Sequence, residues 1–174
     1  MYPLRLSLNL KMNQEHLLLE KYGSEILKAI EGIECHGSLR FYHRNLFTYL
    51  KTSDKFNRKA MDVLSPDGFE VDHHWHKYGS PKSHISLMTN EEQDWRATFR
   101  DCSTVVNYYR GDEIPFSVDS VRMCRSYDKV RGRSKICCLL VVSSQSIGDI
   151  REDLGFLAES SDYLPHIYLG HKIL

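Results

Sequence analysis

Histidine occurs twice in the same local setting: Ser83-His84-Ile85-Ser86-Leu87 and Pro165-His166-Ile167-Tyr168-Leu169. In each, the imidazole lies inside a short apolar run and a hydroxyl side chain follows two positions later. Histidine ordinarily titrates at about 6.5, so it can take or give a proton at neutral pH. Two of them can act as base and acid in one reaction. Strand side chains alternate between faces. Read as strands, the segments therefore present His84 with Ser86, and His166 with Tyr168, on one side. Ile85, Leu87, Ile167 and Leu169 fall on the buried side. Laid side by side, the strands would gather two imidazoles and two hydroxyls on one patch, enough to move two protons and hold a phosphate.

The elements that must position this patch can be read from periodicity. Leu4, Leu6, Leu8 and Leu10 alternate with Arg5, Ser7, Asn9 and Lys11, which predicts a strand over 4–11. Leu17, Leu18, Ile26, Leu27 and Ile30 predict a helix ending near Gly32. Strands are expected at Ser38–Tyr42 and Leu46–Lys51, then a helix capped by Ser53 and stopped by Pro66-Asp67-Gly68. Asn90 is the expected cap of a long helix whose apolar stripe is Trp95, Phe99, Cys102, Val106 and Tyr109. Strands near Ile114–Met123 and Ile136–Ser143 follow, joined by a basic loop, then a helix capped by Ser146 and the second histidine strand. The order is α+β, with an approximate internal repeat whose equivalents are the two histidine strands.

The 174 residues suit one domain, 1–174, with 1–45 as an extra strand–helix–strand and 46–174 as the region bearing the motifs. Lys plus Arg (23) balance Asp plus Glu (23), so no global basic field draws in duplex DNA. A small nucleotide or a short RNA end suits such a surface better. No apolar run reaches the roughly 20 residues of a membrane span, and Met1-Tyr2-Pro3-Leu4-Arg5 lacks the pattern of a signal peptide. The five cysteines, Cys35, Cys102, Cys124, Cys137 and Cys138, have no CxxC spacing and read as free thiols in a cytoplasmic protein.

The segments His84-Ile85-Ser86-Leu87 and His166-Ile167-Tyr168-Leu169-Gly170 resemble the paired H-x-T/S signatures of the 2H phosphoesterases. That superfamily includes RNA 2′,3′-cyclic phosphodiesterases, 2′-5′ oligoadenylate phosphodiesterases and a phage anti-defence enzyme that degrades cyclic oligonucleotide signals. The resemblance spans about residues 46 to 171. It implies two pseudo-symmetric lobes, each an antiparallel sheet with helices outside, facing a central cleft. It also implies metal-independent hydrolysis of a cyclic or 2′-5′-linked oligonucleotide or an RNA 2′,3′-cyclic phosphate, with no cofactor. His84 and His166 would be acid and base in either order, with Ser86 and Tyr168 on the phosphate oxygens. Tyr168 stands where the family has Thr or Ser. Members of the family usually continue past the second motif with a helix and strands, and a permuted N-terminal strand–helix–strand would supply them here. The alternative on the same fold is a protein that holds a nucleotide without cleaving it.

Further candidates for substrate contact are Trp75 and Tyr49, by stacking on a base, Tyr127 and Arg131 in the basic stretch Arg122–Lys135, and Lys172, which alternation puts on the His166 face. Tyr42 and Phe116 are weaker candidates, more simply read as core. His74 and His76, in His73-His74-Trp75-His76, have a spacing that a metal could use, though no further ligand framework accompanies them. Cys137 and Cys138 lie in an apolar run and read as inert.

Overall fold

A computed structural model describes residues 4–42, 47–71, 83–89, 92, 99–129 and 131–174, with the side chains of these except residues 4–13, 42 and 99–101. Trp75, His74 and His76 lie outside the described residues, as does the side chain of Tyr42. The chain is α+β. In order it runs α1 (Leu4–Ile30), β1 (His36–Tyr42), β2 (Phe47–Lys51), α2 (Lys55–Leu64), a 3-10 turn (Ser65–Asp67) and β3 (His84–Ser86). It continues with α3 (Phe99–Tyr108), β4 (Ile114–Pro115), β5 (Ser117–Asp128), β6 (Arg133–Ser143), α4 (Gln145–Asp153) and β7 (His166–Ile173).

The strands form one seven-stranded sheet in the order β4-β1-β2-β3-β7-β6-β5, antiparallel at every pairing. Among the described residues two separate lobes are not shown: the strands make one sheet, whose halves meet at the β3–β7 junction through one register pair, Ile85 with Ile167. The two histidine strands are therefore neighbours at the middle of the sheet.

One face of the sheet carries the core. Leu39, Leu50, Ile85, Leu87, Ile136, Cys138, Leu140, Ile167 and Leu169 pack with Ile26 of α1, Phe56, Ala60 and Leu64 of α2, and Ile147 and Ile150 of α4. Burying each such aliphatic chain is worth about 1.5–3 kcal/mol. Phe116 belongs here too, its ring 6.0 Å from that of Phe56.

Residues 4–11 are helical, within α1, and not the strand that alternation predicts. Residues 4–25 contain no Val, Ile or Thr, so the stiff side chains that favour a pleated strand are missing. Leu4 with Leu8, and Leu6 with Leu10, are also four apart, a spacing that recurs in helices. The N-terminal region is thus helix–strand and adds no 4–11 strand to the sheet.

The cap positions move by one or two residues. Asn90 lies outside the described residues; beside it Thr89 makes a reciprocal pair with Glu92, in which Glu92 N–H donates to Thr89 Oγ1 (3.1 Å) and Thr89 N–H donates to Glu92 Oε2 (2.8 Å). Ser144, not Ser146, caps α4, accepting from Ile147 N–H at 3.4 Å. Asp54 is the N-cap residue of α2, with no side-chain cap bond, and Ser53 Oγ accepts from Lys55 N–H at 3.3 Å. The basic stretch is mostly strand. Pairing of β5 with β6 runs to Asp128–Arg133, so only a short turn remains, with Gly132 at φ 63°.

Candidate functional site

Ile85 and Ile167 are opposed and fully buried on the core side. Alternation then turns His84, Ser86, His166 and Tyr168 to the other face, and all four are partly exposed there. In an antiparallel pair, the same register sets His84 opposite Tyr168 and Ser86 opposite His166. His84 and His166 are diagonal neighbours, a relationship that separates positions by roughly 7–8 Å. The four residues singled out from the sequence therefore share one patch. Imidazoles so placed can flank one phosphorus atom, one on the side of attack and one on the side of departure.

The strand that carries His84 is only three residues long, and side chains pin it at both ends. Before it, Thr52 Oγ1 and Ser83 Oγ share a buried 2.6 Å hydrogen bond, and Thr52 N–H donates to Ser83 O. After it, Tyr163 donates to Ser86 O at 2.9 Å and Arg151 donates to Leu87 O at 2.6 Å. Arg151 is itself fully buried. It is held by Glu92 (2.7 and 3.1 Å) and by Leu157 O, with its guanidinium 3.6 Å from the centre of the Tyr163 ring. Such supports fix a catalytic side chain better than a free loop would.

The imidazole of His84 lies in an aromatic corner. Phe47 is 5.6 Å away and Tyr49 5.7 Å, both edge-on, and the two rings stack on each other at 5.4 Å. Tyr49 is thus placed beside His84. Phe47 joins it, and the alternation of Phe47-Thr48-Tyr49 is the sequence signal for that.

His166 is oriented by a 2.7 Å contact from Nδ1 to Leu164 O. A carbonyl only accepts, so Nδ1 carries the proton and the neutral ring presents its lone pair at Nε2. Burial pushes the His166 pKa down, against the pull of that carbonyl. Both effects of position favour a base at Nε2.

Beyond Tyr168, strand β7 carries a bulge. Leu139 pairs with Tyr168 and Cys138 with Gly170, which leaves Leu169 unpaired. Asn57 of α2 donates to the carbonyl of Tyr168 at 2.7 Å. The bulge shifts the alternation by one residue, with two consequences.

Lys172 now pairs with the core-facing Ile136 and leaves the His166 face. It lies near Asp67 instead, whose carboxyl is held below its usual range by a Tyr22 hydrogen bond and by the charges of Lys21 and Lys172. Lys172 is therefore not placed beside His166.

His171 takes its place. It is fully buried, and its Nδ1 lies 2.6 Å from the Tyr168 hydroxyl. Its Nε2 is 3.3 Å from Glu70 Oε1, an ion-pair distance short of an aligned hydrogen bond. Glu70 continues the line of β3, pairing with the His171 backbone through bonds of 2.7 and 2.8 Å. The close approach needs Gly170, where an added Cβ would stand 3.0 Å from Glu70 O. Arg131 donates to Glu70 Oε1 at 2.8 Å, and so stands behind the carboxylate that faces His171. Tyr127 is exposed near the β5–β6 turn, paired with Ser134, and is not brought to the histidines.

On the other side of His84, Lys51 is its direct partner on β2, and Arg40 is the partner of Tyr49 on β1. Both line a cavity of about 510 Å³ that also takes in Ser38, Thr52 and Lys55, with His36 between Glu34 and Glu113 at its far end.

The cysteines are free. Burial pushes the Cys138 thiol up to about 12. Cys124 faces Cys137 across β5–β6, and a hydrogen bond from Cys137 draws Cys124 down to about 7. Among the described residues, no three or more His, Cys, Asp or Glu side chains gather as a metal site. Among them too, no helix is long and apolar enough to cross a membrane. No protein-family model, curated protein or solved structure matches this chain.

Proposed function

We propose that the exposed face of the β3–β7 pair cleaves a phosphodiester in a small oligonucleotide or at an RNA end. The observation that carries this is the Ile85–Ile167 pairing, which makes His84 and His166 diagonal neighbours on one face. His166, with its lone pair at Nε2 and a lowered pKa, takes the role of base. His84 then protonates the leaving oxygen. Acid–base assistance of this kind contributes ~10²–10⁴ in rate. Ser86 donates to a non-bridging oxygen, where charge develops.

The cavity beside Lys51 extends the reading to the substrate class. Arg40, Lys51 and Lys55 offer charge to a neighbouring phosphate of the same strand, and Phe47 and Tyr49 offer ring faces to a base. A cyclic or 2′-5′-linked oligonucleotide supplies both, whereas a mononucleotide leaves the cavity unused.

The test is turnover in EDTA across 2′,3′-cyclic mononucleotides, 2′-5′ oligoadenylate and cyclic di- and trinucleotides, beside His84→Ala and His166→Ala. Loss of cleavage in both variants is expected; undiminished cleavage in either rejects the reading. One observation favours the second reading, a protein that holds a nucleotide without cleaving it. The Tyr168 hydroxyl bonds to His171 and so is drawn away from a phosphate oxygen. Activity gained in Tyr168→Thr from an inactive parent would establish that reading.

A further inference from the structure

The contact between Tyr168 and His171 has the arrangement of an activated nucleophile: a hydroxyl on an imidazole nitrogen, whose other nitrogen faces a carboxylate. Glu70 is the acidic partner of an ion pair with Arg131, at 2.8 Å. The ring proton of a neutral His171 then belongs on Nε2, toward that charge, and the lone pair on Nδ1, toward Tyr168. So placed, the phenol donates its hydrogen bond to His171 Nδ1 and turns an oxygen lone pair to the patch. An oxygen in that state is a poor donor to a phosphate oxygen and a good attacker of phosphorus.

We infer that Tyr168 is a covalent nucleophile toward phosphodiesters, with His171 as its base and Glu70 as the positioning residue that fixes the His171 tautomer. The inference rests on the reading of this face as a phosphodiester-cleaving site. It deepens that reading by assigning two displacements in place of one.

In the first displacement the Tyr168 oxygen bonds to phosphorus while its proton passes to His171 Nδ1. The bond from phosphorus to the leaving oxygen breaks, and that oxygen takes a proton from His84. In the second, water attacks phosphorus and gives a proton to His166 Nε2. The bond from phosphorus to the Tyr168 oxygen breaks, and the phenolate recovers its proton from His171. The net change is one water consumed, one alcohol and one phosphate monoester formed, and a proton moved from His84 to His166 for solvent to return.

This accounts for three features together: a phenol on the same face as the two imidazoles, a fully buried histidine behind it, and a bulge at Leu169 that turns His171 toward the Tyr168 side. Without the bulge, alternation would point His171 into the core.

The probe is thymidine 5′-(p-nitrophenyl phosphate), whose leaving group departs without protonation, so the outcome does not depend on His84. In His166→Ala, which cannot activate water, acid quench and peptide mass spectrometry should find a thymidylyl adduct on Tyr168. The adduct should be absent in Tyr168→Phe. Its formation should slow roughly 10²–10⁴-fold in His171→Gln. Glu70→Gln, at a half-exposed position that folding tolerates, should slow it while leaving probe affinity unchanged, and Glu70→Asp should recover part of the rate. A merely structural Glu70 would change affinity and adduct rate together. If the parent releases p-nitrophenol, Tyr168→Phe keeps the parent rate and no variant is labelled, the nucleophile is overturned while the site reading stands. If the parent neither turns over the probe nor is labelled, both fall.

Discussion

Ile85 and Ile167 face each other across the β3–β7 pair, and neither exposes any surface. This one apolar pairing joins the halves of the sheet and sets the register of every polar group on the opposite face. It fixes distance as well as direction.

Shortening Ile167 to alanine should therefore cost about 2–5 kcal/mol, and Ile167→Val about 0.5–1.5 kcal/mol. Urea denaturation gives both values. An Ile167→Ala protein as stable as the parent would show that the pairing does not hold the halves together.

Removing the Arg151 side chain should be among the most damaging single changes. Arg151 is fully buried and holds Glu92 and the Leu87 carbonyl just past the site strand. Breaking a buried pair by deleting one partner costs about 3–5 kcal/mol. For Glu92, burial would raise the pKa, but bonds from Arg151 and Thr89 outweigh it and hold the carboxyl below its usual value. Its contribution to stability is present above pH 4.5 and is lost as the pH falls through the lowered value. Acid titration of the parent and of Glu92→Gln should differ in that range; coincident curves would remove the pair from the stability account.

Acidification should also act through His166. Its pKa is lowered in the fold, so the unfolded chain binds the proton more readily once the pH drops below 6.5. Stability should decline from there downward and be flat above. Replacing His166 with Gln should flatten that part of the profile, measured by denaturation between pH 8 and 5, values chosen about 1.5 units to either side of the ordinary histidine range. An identical slope in the variant would assign the effect to another group.

Charge removal at Lys51 and Arg40 should separate binding from chemistry. Both flank the aromatic corner of His84 on the face of the cavity. The double alanine variant should raise KM for an oligonucleotide roughly tenfold, the equivalent of about 1.4 kcal/mol, and leave kcat and the KM for a cyclic mononucleotide unchanged. Equal losses on both substrates would place the cations at the reacting phosphate instead.

Alkylation should distinguish the thiols. Cys124, drawn down to about 7 by Cys137, should react with iodoacetamide near neutral pH before Cys138, whose thiol is pushed up to about 12. Peptide mapping after brief labelling reads the order, and Cys138 labelled first would contradict it.

The alternation within His84–Leu87 and His166–Leu169 is local, and so are its consequences: which side chains are buried, and that each histidine shares a face with a hydroxyl two positions on. Those followed from the sequence alone. The 4–11 segment shows the limit of such reading, since leucines at every second position satisfy a helix as well as a strand, and a lack of β-branched residues tips the balance. Three things required the tertiary structure. Strand adjacency and register depend on pairing between residues far apart in the chain, which no local period encodes. The bulge at Leu169 reverses the facing of Lys172 and His171, because one unpaired residue shifts a period of two by half. Glu70 reaches His171 through a bridge between residues far apart in the chain. Local chemistry chose the histidines; the packing of distant strands decided their partners.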